Sequence, residues 1–331
     1  MGINLLELTP HKVSRDLSGY ITYVYGRPKT GKTTLATQMP NSLLLAFERG
    51  YNALPGVMAQ DVTSWTEMKQ IYRELKKPEV QSVYKALVVD TVDIASDMCQ
   101  KYICNQLGIE NIGDGGWTTN GWSKYKKEFE ETFRSLTQMG YAVFFISHAK
   151  EKTVKRPDNT EYTQVLPALQ SSALNIIEGM ADIYGYAHQV RTDEGSKVIL
   201  TLRHPDDTIA CGGRFKYIAP EIDFNYDSLV KALTDAIDKE AKATNNQFVT
   251  EEREVMSSVK EYDYDALISE FQTIVGSLMQ KNSAMYGPRI TQIIERYLGK
   301  GKKIADTNRD QGEFVYLIVN EIKEDILGQD E

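Results

Sequence analysis

The feature that most restricts this chain is a nine-residue stretch, Gly26 to Thr34, reading GRPKTGKTT directly after the apolar run YITYVY. Gly26, Gly31, Lys32 and Thr33 complete the pattern G-x-x-x-x-G-K-[ST], and its flanks predict a strand before it and a helix after it. Four specified positions match by chance in about one chain in a hundred of this length. Glycines let backbone N–H groups turn inward to cradle phosphate oxygens, a lysine neutralises the β/γ charge, and a hydroxyl can ligate a hard cation. The expectation is ATP or GTP held over Gly26, Arg27, Pro28, Lys29, Thr30, Gly31, Lys32, Thr33 and Thr34, with Mg²⁺ at Thr33.

A phosphate loop needs a sheet behind it, and the periodicity supplies one. Short apolar runs at Tyr20 to Tyr25, Leu43 to Phe47, Ala86 to Val89 and Ala142 to Ser147 alternate with helical stretches, the signature of an α/β parallel sheet. Helices are expected near Thr91 to Leu107 and Trp122 to Met139, joined by the glycine-rich GIENIGDGGWTTNG. ADIYGYAHQVRTDEGSKVILTL reads as a hairpin, turning at Asp193 to Ser196 and appended to the parallel sheet. YDSLVKALTDAIDKEAKA reads as a helix with Leu229, Leu233 and Ile237 on one face. The polar stretch TNNQFVTEEREVMSS predicts a linker, and three later amphipathic stretches predict a small helical domain. The expected organisation is therefore an α/β P-loop core over 1–244, a linker over 245–262 and a helical C-terminal domain over 263–331.

Composition narrows the class. The 331 residues are 41% hydrophobic and 25% charged, as in a soluble globular protein, and no run approaches the roughly 18 apolar residues of a membrane span. MGINLLELTPHKVSRD lacks the basic start and long apolar core of a secretory signal, so a cytoplasmic setting is expected. Three cysteines and four scattered histidines form no structural zinc pattern. The net charge of −8 argues against a uniformly basic nucleic-acid binder. Of that charge −6 belongs to residues 245–331, with 10 basic and 16 acidic side chains, so the first domain is near neutral and can carry local basic patches.

Polar residues closing the other apolar strands then become candidates, because parallel strands deliver their C-terminal ends to one edge of the sheet. KALVVDTVD places Asp90 there, suited to hold the metal's water shell. The next residue is Thr91, not the glutamate that many ATPases use to polarise the attacking water. Glu48, ending LLLAFE, and Asp93, expected in the first turn of the following helix, compete for that role, and strand-end geometry favours Glu48. AVFFISHAK closes a buried strand with Ser147 and His148, which makes His148 a candidate sensor of the γ-phosphate.

With phosphate loop, strand-end glutamate, strand-end aspartate and polar sensor strand in this order, the span from about Gly19 to Tyr217 resembles the RecA-like P-loop ATPase family. More closely, LLELTPHKVSRDLSGY, LLLAFERGYNALPG and GYAVFFISHAKEKT resemble phage-encoded RecA-core proteins of recombination and replication modules, linked to single-strand annealing. The resemblance implies a homo-oligomer, ring or filament, with ATP at the subunit interface and single-stranded DNA on two mobile loops. By position the first loop is Gly113 to Gly121. There Trp117 would stack on a base while Lys124, Lys126 and Lys127 meet phosphates; a tryptophan folded onto the protein's own surface is the rival reading. The helix that follows carries Trp122, Tyr125, Phe129, Phe133 and Leu136 at core spacing. The second loop would be Lys150 to Leu166, with Lys150, Lys152, Lys155 and Arg156. GGRFKY resembles an Arg-Phe signature of RadA-type relatives, which makes Arg214 and Lys216 candidates for a finger reaching a neighbour's ATP. Two departures stand out: no counterpart of the RecA polymerisation helix, and a Ser-His sensor in place of Asn-Gln.

The expected function is ATP-dependent single-stranded-DNA binding that promotes annealing or pairing, in the cytoplasm of a bacterial host if the chain is phage-encoded. A helicase or helicase-loading motor is one alternative, and a nucleotide-gated scaffold with little hydrolysis is another. The acidic C-terminal domain fits recruitment of a partner such as a single-stranded DNA-binding protein, and its YLGKGKK turn offers a small basic patch.

Overall fold

Burial on both faces is what makes the apolar runs parallel strands. The computed structural model describes residues 10–156, 158–193, 195–245, 248–251 and 262–327. The strands are β1 (Val13–Ser14), β2 (Ile21–Gly26), β3 (Ser42–Ala46), β4 (Ala59–Asp61), β5 (Ala86–Asp90), β6 (Ala142–Lys155), β7 (Glu161–Pro167), β8 (Ile183–Thr192), β9 (Gly195–Thr201), β10 (Gly212–Gly213), β11 (Glu221–Asp223) and β12 (Val249–Thr250). The helices are α1 (Lys32–Ala36), α2 (Trp65–Leu75), α3 (Pro78–Val83), α4 (Val92–Leu107), α5 (Gly116–Thr119), α6 (Gly121–Gln138), α7 (Ser171–Met180), α8 (Tyr226–Ala243), α9 (Tyr264–Leu298) and α10 (Gly312–Ile322).

The main sheet runs β11-β9-β8-β2-β6-β5-β3-β4, parallel from β8 through β4, with β9 and β11 antiparallel at the far side. The fold is thus the expected α/β class, a mostly parallel sheet flanked by helices with an appended β8–β9 hairpin. Residues alternate between two cores. Tyr23, Tyr25, Leu87, Val89, Val143 and Phe145 face α2, α4, α6 and α7, whereas Val24, Val88, Phe144 and Ile146 face α1 and α8. Tyr125, Phe129, Phe133 and Leu136 are fully buried as their spacing predicts. Trp122 is not: it stands 42% exposed in the first turn of α6, before the helix reaches the core.

A second difference concerns Lys150 to Leu166, expected as a mobile loop. β6 does not stop at Ser147 but continues to Lys155 and pairs antiparallel with β7, from Ala149↔Pro167 to Lys155↔Glu161. Thr153, Val154, Tyr162, Thr163 and Val165 favour this pleated form. At the tip Asn159 takes a left-handed φ of 65° and the Asp158 side chain accepts from the Thr160 N–H.

Two compact units divide the chain, Met1–Ser258 and Val259–Glu331. Of the expected 245–262 linker, residues 246–247 and 252–261 lie outside the described residues; within it β12 pairs in parallel with β1, and Arg15 forms ion pairs with Asp238 and Glu251. The C-terminal unit is helical. Its first two expected helices form one long element, α9, broken at Asn282 (φ −161°, ψ 91°), whose side chain caps the second half by accepting from the Met285 N–H. Leu278, Ile290, Ile293, Val315, Ile318, Val319 and Ile322 make its core.

Candidate functional site

The phosphate loop leaves β2 at Gly26, where the neighbouring strand allows no side chain: a Cβ there would lie 2.4 Å from the Ala187 carbonyl oxygen of β8. The loop then turns through Lys29 and Gly31, at φ 64° and 90°, before α1 begins. Lys32 is buried and curls back on the loop, its Nζ donating to the Gly26 and Arg27 carbonyls at 2.9 and 2.8 Å. Burial lowers its pKa, opposed by the nearby charges of Asp90, Asp93 and Glu48. Thr30 Oγ1 donates to the Arg27 carbonyl, which braces the turn.

Three strand ends converge on this loop because β6 lies between β2 and β5, with β3 next. Asp90 closes β5, buried, and accepts a 2.6 Å hydrogen bond from the Thr33 hydroxyl. Burial raises the Asp90 pKa, the Thr33 hydrogen bond opposes this, and the charge of Glu48 adds to the rise. Glu48 follows β3, pinned by its backbone N–H to the Asp90 carbonyl at 3.1 Å, with Phe47 donating to the same oxygen at 2.8 Å. His148 on β6 is registered directly beside Gly26. Its Nδ1 lies 2.8 Å from Asp93 Oδ2, and its Nε2 lies 3.6 Å from Glu48 Oε2. The structure therefore brings together Lys32, Thr33, Glu48, Asp90 and His148. Ser147, by contrast, is wholly buried.

Asp93, weighed from sequence only as a rival to Glu48, sits in the first turn of α4 beneath the histidine. Burial pushes its carboxyl up, but the hydrogen bond and charge of His148 outweigh this and hold it below the usual value. The same hydrogen bond raises His148, against the opposing effect of burial. Linkage fixes the sign. The raised histidine contributes stability that is complete below its unfolded value of 6.5 and is lost as pH rises through its folded value; the depressed aspartate contributes above 3.8 and loses this as pH falls. Thermal unfolding of His148→Gln beside the unaltered chain should thus show its largest deficit between these two values, shrinking above pH 6.5. A deficit that grows with rising pH would contradict the pairing.

Thr33 and Asp90 offer hard oxygen ligands of the kind Mg²⁺ takes. Space beside them fits as well: a Cβ on Gly50 would come only to 3.8 Å from Thr33 Oγ1 and 3.9 Å from Asp90 Oδ2. A longer side chain at position 50 would crowd this ground.

The remaining sequence candidates lie elsewhere. Trp117 is fully exposed in α5, and Lys124, Lys126 and Lys127 are exposed on α6, Lys127 with Glu131 at 3.7 Å. On the β6–β7 hairpin, strand alternation puts Lys150 and Lys152 on one face and Lys155 on the other, with Arg156 just past the strand's end. Lys150 Nζ reaches the Leu169 carbonyl at 3.2 Å, Arg156 lies 4.4 Å over the Tyr162 ring, and Lys155 pairs with Glu161 at 3.4 Å. Two bonds tie the hairpin's root to β2 and the phosphate loop: Tyr25 OH to the Val165 carbonyl at 3.0 Å, and Arg27 to Glu151 at 3.1 Å. Neither was foreseen from the sequence.

Arg214 and Lys216 are not brought to this chain's own phosphate loop. Gly213 pairs with Ile183 at the start of β8, whereas Gly26 pairs with Ala187, roughly 13 Å further along that strand. Arg214 is bound there to Asp182 Oδ1 at 2.6 Å and to the Gly179 carbonyl at 2.9 Å, and Lys216 lies 5.0 Å over the Tyr217 ring.

A phosphate cradle, a buried lysine, a hydroxyl–aspartate pair and a strand-end glutamate at one sheet edge define a P-loop nucleoside-triphosphatase site. The chain belongs to the AAA domain family, whose model matches residues 18–214. It is similar to the SPbeta prophage-derived uncharacterized protein YorG of Bacillus subtilis strain 168, at 28% identity over 336 residues, covering 99% of this chain and 100% of that protein. Among solved structures, a KaiC-like protein from the archaeon Pyrococcus horikoshii OT3 aligns over 56% of this chain and 79% of its own, at 16% identity and a TM-score of 0.33. Among the described residues no helix is long and apolar enough to cross a membrane.

Proposed function

We propose that this chain hydrolyses ATP in response to single-stranded DNA and promotes annealing or pairing in phage-type recombination. The observation that carries the reading is the convergence of Asp90, Glu48 and His148 from neighbouring strands on Thr33 and the phosphate loop, with the His148 strand running on into a basic hairpin. Lys32 neutralises phosphate charge, Glu48 accepts a proton from the attacking water, and His148 faces the γ-phosphate. Mg²⁺ held by Thr33 and, through water, by Asp90 supplies further charge neutralisation when bound. Trp117 with Lys124, Lys126 and Lys127, together with the hairpin cations Lys150, Lys152, Lys155 and Arg156, form the DNA surface. Arg214 and Lys216, at the opposite sheet edge, act on ATP only through a second copy, which makes the working form a homo-oligomer. The prophage origin of the Bacillus relative supports the phage setting. Recruitment of a single-stranded DNA-binding protein falls to the C-terminal unit.

ATPase rate with and without single-stranded DNA, measured beside the mass of the assembly, tests this. DNA-stimulated turnover by an oligomer is expected. Negligible turnover at saturating DNA would favour a nucleotide-gated scaffold, and directional duplex unwinding would favour a helicase. Replacing Lys150, Lys152, Lys155 and Arg156 with alanine should weaken DNA binding and flatten its salt dependence by about 0.7 in log–log slope for each phosphate that the variant no longer neutralises. Unchanged slope and affinity in a fluorescence anisotropy titration would remove the hairpin from the DNA surface.

A further inference from the structure

We infer that Asp93 is the positioning residue of the site: it fixes the ring of His148 so that Nε2, and not Nδ1, faces the incoming phosphate. The inference rests on the ATP-hydrolysing reading above.

Asp93 Oδ2 lies 2.8 Å from His148 Nδ1 and 3.4 Å from the His148 backbone nitrogen, so one oxygen grips both the ring and the strand that carries it. The other oxygen, Oδ1, is buried with no hydrogen-bond partner among the described residues. An ionised carboxylate can only accept, so Nδ1 must carry the proton and the imidazole cannot flip end for end without losing that bond. Nε2 is left 3.6 Å from Glu48 Oε2, beyond hydrogen-bond length, on a residue registered directly beside Gly26, where the phosphate loop begins. The charged groups acting on His148 are Asp93 from α4, Glu48 from the end of β3, Lys32 from α1 and Asp90 from β5. Only Asp93 lies within hydrogen-bond distance of the ring among the described residues.

The test uses the full chain with ¹⁵N-labelled histidine. The protein has four histidines, and His148→Gln assigns the signal. Two-bond ¹H–¹⁵N correlations should show His148 protonated at Nδ1. Asp93→Asn, which keeps size and shape but turns an acceptor-only group into one that also donates, should weaken that signature and lower kcat by about 10–100-fold, as loss of an orienting partner does, with KM for ATP little changed. A proton on Nε2 alone in the unaltered chain, or wild-type kcat in Asp93→Asn, would overturn the assignment. The two readings fail separately: absence of turnover in the unaltered chain contradicts ATP hydrolysis, while the tautomer is read without any turnover.

Discussion

Lys32→Ala should lower ATP turnover by about 10²–10³-fold, the usual consequence of removing a pre-organised charge from a developing phosphate transition state. The size of the effect follows from where the side chain is held. Its Nζ is already fixed on the Gly26 and Arg27 carbonyls, so the charge is aimed before nucleotide arrives and little side-chain entropy remains to be lost on binding. It also stands among the acidic side chains of Asp90, Asp93 and Glu48, whose mutual repulsion it offsets. Alanine removes both effects, so ATP affinity should fall along with kcat. Steady-state hydrolysis and calorimetric titration with ATP check the two halves, and unimpaired hydrolysis would mean that phosphate chemistry is done elsewhere.

Glu48→Gln should separate what Lys32→Ala combines. The residue is delivered by its backbone bond to the Asp90 carbonyl, so glutamine will occupy the same place without a group able to take a proton. Binding of ATP should persist while turnover drops by about 10²–10⁴-fold, the range for loss of a general base. Asp93 is poorly placed to substitute, being largely covered and engaged with His148. Full hydrolysis by the variant would sink the assignment of Glu48 and leave the site without a base.

Much of this site is legible in the sequence because its parts are strand ends. A parallel sheet sends every C-terminal end to one edge, so Asp90, Glu48 and His148 can be gathered from apolar runs alone. Asp93 is harder. Its position in a first helical turn is foreseeable, but its partner sits on β6, and nothing local reveals that β6 lies beside β5. The β6–β7 hairpin escapes for another reason: its lysines and Glu151 mask a modest β-propensity that only pairing with Glu161–Pro167 realises. Trp122 keeps helical spacing with buried neighbours yet sits outside, since periodicity marks a face and not where along it the core begins.

The course of β6 bears on how such a protein would signal. Its sequence AVFFISHAKEKTVK has neither glycine nor proline, and its 14 residues span about 46 Å from the sealed interior to the hairpin tip. His148 stands midway. The strand passes without interruption from one sheet to the next, paired with β2 and β5 on its inner half and with β7 on its outer half. If, as proposed above, His148 responds to bound nucleotide, this continuous strand is the shortest covalent route from the site to Lys155 at its outer end.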